Sequence, residues 1–402
     1  MAIRRTLPPT VAPIYCRDIA NGLGGILRGR SEVDRFEGEI REYFELRHCF
    51  TLSSGRAVLT VILRALHALR PERNVVVIPA YTCYSVAAAV IRAGLSLRLC
   101  DIDEKTLDFD YARLEDIIAG DAQDSSKILA IIPTHLFGLP SDINKVKRIT
   151  SGRDIFIVED AAQALGGSYE RSKLGTIGDV GFFSLGRGKP LTTVEGGIII
   201  TDRDDIARGI KDQIKGIEQS SVISLLFKAL FLSVFVHPGL YWFPKSLSSL
   251  KLGETLYDER FDIRHLSPFQ AGLARGWRRK IEDLKKARRE RALRFLPIGR
   301  SSAFHSYVSG EDTLPDLLRF PLLSRDADFR RDQRRREAMD RLGIVPYYPA
   351  SIAGIEKLHG SFAGEEYPCA DRVVTYLITL PIHPLVSDAD MDEIIEFLKD
   401  SG

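Results

Sequence analysis

The feature that most constrains this chain is a short apolar, β-branched run at residues 155–158 that ends abruptly in two acids, Glu159 and Asp160. Such a run is typical of a strand buried on both faces, as the strands of parallel sheets are. In open α/β sheets, ligands bind just outside the carboxyl ends of the strands. The run therefore predicts that the carboxylate of Asp160 lies at the edge of a sheet where a ligand is bound.

The residues that follow add a hydroxyl and a lysine to the same edge. A second apolar run, residues 180–184, ends in Ser184, and Lys189 comes five residues later within a Gly/Pro loop. An acid, a hydroxyl and a lysine that converge from strand ends suit pyridoxal 5'-phosphate. Asp160 would keep the pyridine nitrogen protonated, Lys189 would attach the cofactor and then move a proton, and Ser184 would bind phosphate.

Each of these residues also has a common structural explanation. Asp160 before Ala161 and Ala162 could be a helix N-cap, and Lys189 taken alone could be a solvated loop lysine. The third motif, Glu195 with two following glycines, precedes another apolar run. The order and spacing of the three motifs together favour the catalytic interpretation.

These motifs resemble those of the DegT/DnrJ/StrS family of sugar aminotransferases, in which acid-Ala-Ala-Gln, Ser-x-x-x-x-Lys and Glu-Gly-Gly follow one another. This chain has them at residues 160–163, 184–189 and 195–197. The resemblance implies the α/β, aspartate-aminotransferase-like fold (fold type I), with a large, mainly parallel-sheet domain and a smaller C-terminal α+β domain. It also implies a homodimer with active sites at the interface. Relatives that dehydrate sugars have histidine at the lysine position, so Lys189 favours amination.

A chain of 402 residues that is 45% hydrophobic can bury a large core and is long enough for two or three domains. We predict a large cofactor-binding domain over residues 1–255, with an apolar insert at about 222–245, and a small domain over residues 256–402 that includes a long linking helix. An irregular, proline-rich lead is expected before a first helix over residues 31–45. Periodicity by itself supports only alternating β and α elements around a largely parallel sheet.

The phosphate site is predicted to include Ser54, Gly55 and Arg56, which open a helix whose N-terminus can bind an anion. The family usually has threonine where this chain has Arg56. The arginine could pair with the phosphate, or it could point away and leave the backbone to bind alone.

The cofactor ring has its own predicted contacts. The family residue that stacks on the ring is generally aromatic, but here it is Cys83, so that Tyr81 or Tyr84 could take over the stacking. Gln163 is expected beside the oxygen or the phosphate side of the ring. No metal site is predicted.

The substrate contacts implied by the resemblance are Tyr81, His135, Glu195 and Arg264. His135 lies in a loop like the family's His-x-x-Gly loop, although a structural histidine is the commoner case. In relatives, an asparagine reaches the partner's cofactor phosphate where this chain has Asp262. Either Asp262 turns away, or Arg264 and another donor serve the phosphate.

The insert is the part of the sequence that the resemblance does not cover. Residues 223–243 are almost wholly apolar but are broken by Pro238 and Gly239, so they fall short of the about 20 apolar residues of a membrane span. They could be buried in a dimer interface, form a wall of the substrate site, or touch a membrane surface. We favour the dimer interface, because a helix that is apolar all round must be covered.

Charge and cysteine usage limit the other functional classes. The formal charge of +2 gives no reason to expect nucleic acid, the five cysteines form no CxxC pair, and no apolar stretch follows the basic N-terminus as in a secretory signal. We expect a cytoplasmic enzyme that transfers an amino group from an amino acid, with glutamate as the expected donor, to a keto group of a nucleotide-activated deoxysugar. The pathway would make a polysaccharide or glycoconjugate precursor. The alternatives are a pyridoxal enzyme that acts on a non-sugar ketone, and a non-catalytic cofactor-binding relative that associates with membranes.

Overall fold

A seven-stranded sheet forms the centre of the computed structural model, which describes residues 5–120, 126–246, 256–308, 310–326 and 328–400. Its strand order is β1-β9-β8-β5-β4-β2-β3, and only β9 runs antiparallel to its neighbours. This confirms the predicted mainly parallel α/β sheet. The bounds are β1 His48–Leu52, β2 Val75–Pro79, β3 Ser96–Cys100, β4 Ile128–Ile131, β5 Phe156–Asp160, β8 Val180–Ser184 and β9 Gly197–Thr201, with a small hairpin of β6 Ser168–Tyr169 and β7 Ser172–Lys173 between β5 and β8.

Helices cover the sheet because the inner strands are apolar on both faces. Every residue of β5 and β8 is buried. The helices of this part are α1 Cys16–Arg28, α2 Arg30–Phe44, α3 Gly55–Leu69, α4 Tyr84–Arg92, α5 Tyr111–Ala119, α6 Ile143–Ile149, α7 Asp204–Gln213, α8 Val222–Phe235, α9 Trp242–Ser246 and α10 Pro268–Leu273.

A second, antiparallel sheet lies in the C-terminal part of the chain. Its strands are β10 Phe304–Ser306, β11 Phe320–Ser324 and β12 Leu377–Leu380, in the order β10-β11-β12. The long helix α11 Trp277–Gly299 packs on this sheet and on α14 Asp388–Asp400, and α12 Gln333–Arg341 and α13 Pro368–Tyr376 complete the unit. The predicted boundary between residues 255 and 256 adjoins residues 247–255, which lie outside the described residues, so the division stays a prediction.

The N-terminal segment, residues 5–14, contacts the C-terminal part of the chain. Arg5 forms a bidentate ion pair with Asp390 of α14, with distances of 2.8 and 2.7 Å. His383 donates from Nε2 to the carbonyl of Pro8 at 2.8 Å, since its Nδ1 accepts from a backbone N–H. The first residues of the predicted large domain therefore contact the C-terminal unit.

The expectation of an irregular lead up to residue 31 is wrong, because α1 begins at Cys16. Glycines within α1 weaken its helical pattern in the sequence. They allow α1 to lie very close to α10: a Cβ on Gly22 would come within 2.7 Å of the Phe269 ring, and one on Gly25 within 2.3 Å of the Pro268 carbonyl oxygen.

The apolar insert folds into α8 and α9 rather than into one long helix. The backbone turns after α8 at His237, Pro238 and Gly239. Within the residues that the structure describes, no helix combines the length and the apolar character needed to traverse a bilayer.

Candidate active site

The carboxyl ends of β5 and β8 lie side by side because the two strands pair in parallel, with Asp160 opposite Phe182. Asp160 ends β5, and Ser184 ends β8 two residues beyond that pair. Strand β9 pairs with both β8 and β1, which places Gly197 next to Ser184 and Leu52. The start of α3, just after β1, is thereby brought to the same edge of the sheet.

Asp160 is a buried carboxylate with an unused oxygen. It is 4% exposed, and its Oδ1 accepts a hydrogen bond from Ala162 N at 3.0 Å. Among the described residues, nothing donates to Oδ2. Burial raises the pKa of Asp160, although the Ala162 N–H and the nearby charges of Lys189 and His135 oppose the rise. A carboxylate oxygen that no described residue satisfies, on a residue that is itself buried, suits a donor from a ligand, such as a protonated ring nitrogen.

Lys189 is half-buried in the loop that follows β8. Burial raises the pKa of Asp160 and of the phenol of Tyr347, and the charge of Lys189 opposes both rises, so its amine lies near both groups. The loop is held from outside by Thr10, whose hydroxyl donates to the Gly188 carbonyl at 3.4 Å. No described residue forms a hydrogen bond or ion pair with the Lys189 amine, which leaves this amine available for chemistry.

The first turn of α3 and Ser184 form a cradle for an anion. Ser54 caps α3 by accepting from Ala57 N at 3.1 Å. A Cβ on Gly55 would lie 3.1 Å from the Cβ and 3.2 Å from the Oγ of Ser184, so a glycine there lets the helix start approach the hydroxyl. Gly186 N donates to the same Oγ at 3.3 Å. Backbone N–H groups at a helix start next to a hydroxyl are a good fit to a phosphate.

A group of aromatic side chains adjoins the acid and the lysine. Tyr348 contacts the ring of Tyr81 edge-on with centroids 5.3 Å apart, and its ring is nearly parallel to that of Tyr84 at 6.3 Å. Gln163 is fixed between two partners: its Oε1 accepts from Phe137 N and its Nε2 donates to the Tyr348 hydroxyl, both at 3.1 Å. Burial raises the pKa of Tyr348, so its hydroxyl is protonated at neutral pH.

A model of the DegT/DnrJ/EryC1/StrS aminotransferase family matches residues 16–220, which is half of the chain and includes the acid, the serine and the lysine. The chain belongs to this family. The family assignment, the fold and the pyridoxal phosphate cofactor predicted from the sequence are thus confirmed, and the chain is a pyridoxal phosphate-dependent aminotransferase.

Relatives of this DegT/DnrJ/EryC1/StrS aminotransferase support the assignment over nearly the whole chain. The spore coat polysaccharide biosynthesis protein SpsC of Bacillus subtilis is 26% identical over 395 residues, which cover 94% of this chain and 91% of that protein. GDP-perosamine synthase of Caulobacter vibrioides is 33% identical over 179 residues, 44% of this chain and 46% of that protein.

Solved structures agree with the fold. PseC of Helicobacter pylori, an aminotransferase of pseudoaminic acid biosynthesis, superposes with a TM-score of 0.77 over 98% of this chain and 99% of its own, at 16% identity. A family aminotransferase from Brucella abortus has a TM-score of 0.69 at 25% identity and covers 92% of this chain and 90% of its own.

Some predicted site residues of this aminotransferase lie elsewhere. Arg56 points away from the cradle: its Nη1 donates to the Asp258 carbonyl at 3.3 Å, and its guanidinium lies 4.8 Å from the centre of the Phe261 ring. Of the two possibilities left open for Arg56, the structure shows the second. Cys83 is half-buried, directly before α4.

His135 is not placed to contact a substrate. It is fully buried, its Nδ1 accepts from Ser141 N at 3.0 Å, and its Nε2 lies 3.1 Å from Glu159 Oε2. Because Nδ1 accepts, Nε2 carries the proton and donates to Glu159. Both nitrogens are engaged within the protein, so the histidine is structural.

The other two charged candidates are also paired within the chain. Glu195 forms an ion pair with Lys228 of α8 at 2.6 Å, and Arg264 pairs with the exposed Asp262 at 3.0 Å. The structure therefore does not bring either side chain to Asp160 and Lys189. Tyr348, which is not among the predicted site residues, holds Gln163 and lies in a Tyr-Tyr-Pro sequence at residues 347–349.

Proposed function

We propose that the chain transfers an amino group from an amino acid, with glutamate as the expected donor, to a keto group of a nucleotide-activated deoxysugar. The product would be a precursor of a polysaccharide or glycoconjugate. The observation that carries the proposal is the unpaired amine of Lys189 beside a buried acid, since relatives that dehydrate sugars lack this lysine. The activity named for GDP-perosamine synthase and the polysaccharide biosynthesis named for SpsC support the class of product.

The described residues divide the work of binding and proton transfer. Bound pyridoxal phosphate supplies the electron sink. Asp160 keeps the ring nitrogen protonated, while Ser184 and the N–H groups of the first turn of α3 hold the phosphate. Lys189 attaches the cofactor and moves the proton of the donor's α-carbon. Gln163, held by Phe137 N and the Tyr348 hydroxyl, would contact the ring.

A ketone that is not a sugar nucleotide is the second candidate. L-glutamine:2-deoxy-scyllo-inosose aminotransferase of Streptomyces kanamyceticus is 32% identical over 187 residues, 46% of this chain and 42% of that protein. The name of that enzyme gives a carbocyclic ketone as its substrate and glutamine as its donor. The half-reaction test of the function therefore includes both kinds of acceptor.

We further propose that the enzyme is a homodimer and that it works in the cytoplasm. The dimer follows from membership of the family, and sedimentation of the purified chain would test it. The compartment is supported by the five cysteines, all of which are free thiols.

Absorbance spectroscopy of the two half-reactions tests the function. Protein loaded with cofactor should lose its visible absorbance on addition of glutamate, and a keto-deoxysugar nucleotide, but not 2-deoxy-scyllo-inosose, should restore it. Lys189→Ala should abolish both changes, whereas Arg187→Ala, an exposed neighbour in the same loop, should retain them. A loaded wild-type protein that no amino donor alters would refute amino transfer.

A further inference from the structure

We propose that helices α1 and α8 form a docking surface for an anionic membrane, to which the chain binds peripherally. The surface consists of Leu23, Ile26 and Leu27 of α1 and Ile223, Phe227, Leu230 and Val234 of α8, and is called the α1–α8 face below. The inference goes beyond the proposed function and does not depend on it.

Helix α8 is apolar on the side that faces away from the protein. Ile223, Phe227, Leu230 and Val234 are spaced by four, three and four residues, which places them on one side of a helix. Ile223 is 71% exposed and Phe227 is 69% exposed. Water-soluble proteins seldom expose a continuous apolar area of this kind unless it binds something.

The other side of α8 fixes it to the protein. Leu225 and Ala229 are buried in a small core with Ile14, Ile19 and Phe269, and α8 packs against both α1 and α10. The exposed stripe is therefore not the inner face of a displaced helix. Helix α8 thus has two apolar sides, one packed against α1 and α10 and the other exposed.

Helix α1, which packs against α8, has exposed apolar residues of its own. Its glycine-containing side lies against α10, and Leu23, Ile26 and Leu27 are on the exposed side. Leu27 is 90% exposed.

An aromatic cluster lies at the end of α8. Phe243 contacts Phe235 with ring centroids 5.5 Å apart, and Trp242 contacts Phe243 at 5.9 Å. Trp242, Phe243 and Leu240 are each about two-fifths exposed. Amphipathic rings at the margin of an apolar surface are typical of the water–lipid boundary.

The charged residues of these helices favour an anionic lipid surface. Those that are exposed or half-buried in α1, α8 and α9 are all basic, namely Arg17, Arg28, Lys228 and Lys245. The one acid, Asp18, is buried and pairs with Lys280 at 2.7 Å. Basic residues beside an apolar face attract anionic headgroups. Three of the four also contact acids of neighbouring elements, so we expect apolar burial to supply most of the binding.

The same charges argue against a second copy of the chain as the occupant. A two-fold interface places a patch against itself, so Arg17, which has no ion pair within the described residues, would face a surface whose neighbouring acids are already paired. The described residues of the three helices offer no exposed acid to pair with it. Like charges across an interface oppose association. This reverses our preference from the sequence, which was a dimer interface.

Vesicle flotation of the full chain tests the proposal. We expect the chain to float with vesicles that contain phosphatidylglycerol, and more weakly with phosphatidylcholine alone or at high salt. The double variant Leu27→Ser and Phe227→Ser should bind at least about tenfold more weakly. The matched control is Tyr169→Ser, which removes an exposed aromatic residue from β6 and should bind as the wild type does.

Thermal melting and the half-reaction with glutamate show whether the variants are folded. The proposal is wrong if wild-type protein does not float with any vesicle, or if the folded double variant floats as well as the wild type. It is also wrong if the wild type stays unbound and sediments as a dimer that the double variant dissociates, because the α1–α8 face would then be a protein interface.

Discussion

Two neighbouring carboxylates at the end of β5 have opposite surroundings. Glu159 accepts hydrogen bonds from His135 Nε2 at 3.1 Å, from Gly175 N at 2.8 Å and from Gly178 N, so both of its oxygens are occupied. Asp160 accepts one hydrogen bond through Oδ1, and within the described part of the chain its Oδ2 has no donor. Both residues are buried.

The number of donors to each carboxylate distinguishes a structural acid from a functional one, whereas burial does not, because both residues are buried. Side chains alternate across a strand, so Glu159 and Asp160 point to opposite faces of the sheet. Glu159 ties the β7–β8 connection and the His135 loop to the strand. Among the described residues, no group donates to Oδ2 of Asp160, and a ligand is expected to supply that donor.

The largest expected effect of the contrast between Glu159 and Asp160 is a loss of activity when Asp160 is changed. Asp160→Asn should lower the kcat of amino transfer roughly 10²–10³-fold, because a neutral amide cannot stabilise a protonated ring nitrogen. Steady-state kinetics of the loaded enzyme measures the loss. The cofactor-free variant should unfold in urea within about 0.5 kcal/mol of the wild type, since Asn can still accept from Ala162 N.

Changing the neighbouring acid should instead reduce stability. Glu159→Gln provides one acceptor oxygen where three donors require acceptors, and its own NH₂ would face one of them. We expect a loss of about 2–3 kcal/mol in the free energy of unfolding from equilibrium urea titrations. If Asp160→Asn destabilises the cofactor-free protein more than Glu159→Gln does, the assignment of roles is reversed.

The pH dependence of stability tests His383, whose two ring nitrogens both form hydrogen bonds within the protein. Burial lowers the pKa of His383 from 6.5 to about 3, so the folded protein holds it neutral. The contribution of the neutral imidazole to the free energy of unfolding is fully present above pH 6.5. It is lost as the pH falls, because the unfolded chain then binds a proton that the folded chain does not. We expect the wild type to lose about 2 kcal/mol through this group between pH 7.5 and pH 5.

The variant His383→Gln can still donate to the Pro8 carbonyl but does not titrate. Its unfolding free energy should therefore show a pH dependence that is weaker by that amount. Equal slopes for wild type and variant would mean that His383 is protonated in the folded protein.

The smallest effect is expected at the edge of the phosphate cradle. Arg56→Thr should change the dissociation constant of the cofactor less than about threefold, and it should lower stability by at most about 1 kcal/mol through loss of the contact with Phe261. Ser184→Ala should weaken cofactor binding about tenfold, because it removes a hydrogen bond to a charged group. A large loss of affinity in Arg56→Thr would show that the guanidinium does reach the phosphate.

The sequence was informative wherever a local pattern determines a structure. The apolar run before Glu159 predicted β5, because a strand with no polar side chain is buried on both faces. The approach of Asp160 to Ser184 followed from a general property of parallel strands, whose carboxyl ends share one edge of the sheet. The family motifs then identified the cofactor.

The features that the sequence did not predict are those that a distant residue decides. Gln163 depends on the Tyr348 hydroxyl 185 residues away, and Glu195 pairs with a lysine of the insert. The glycines of α1 read as a break in the helix, but they fit against α10, about 250 residues further along the chain. No local pattern contains such partners.

The N-terminal segment has a consequence for the order in which the protein can be completed during synthesis. Arg5 bonds to Asp390 across 385 positions of the chain, and His383 holds Pro8 across 375. Because Thr10 of this segment also holds the Lys189 loop, that loop can be fastened only after the segment has found its place. We therefore expect the contact between Thr10 and the Lys189 loop to form late in synthesis, after residues 383–390 have been made.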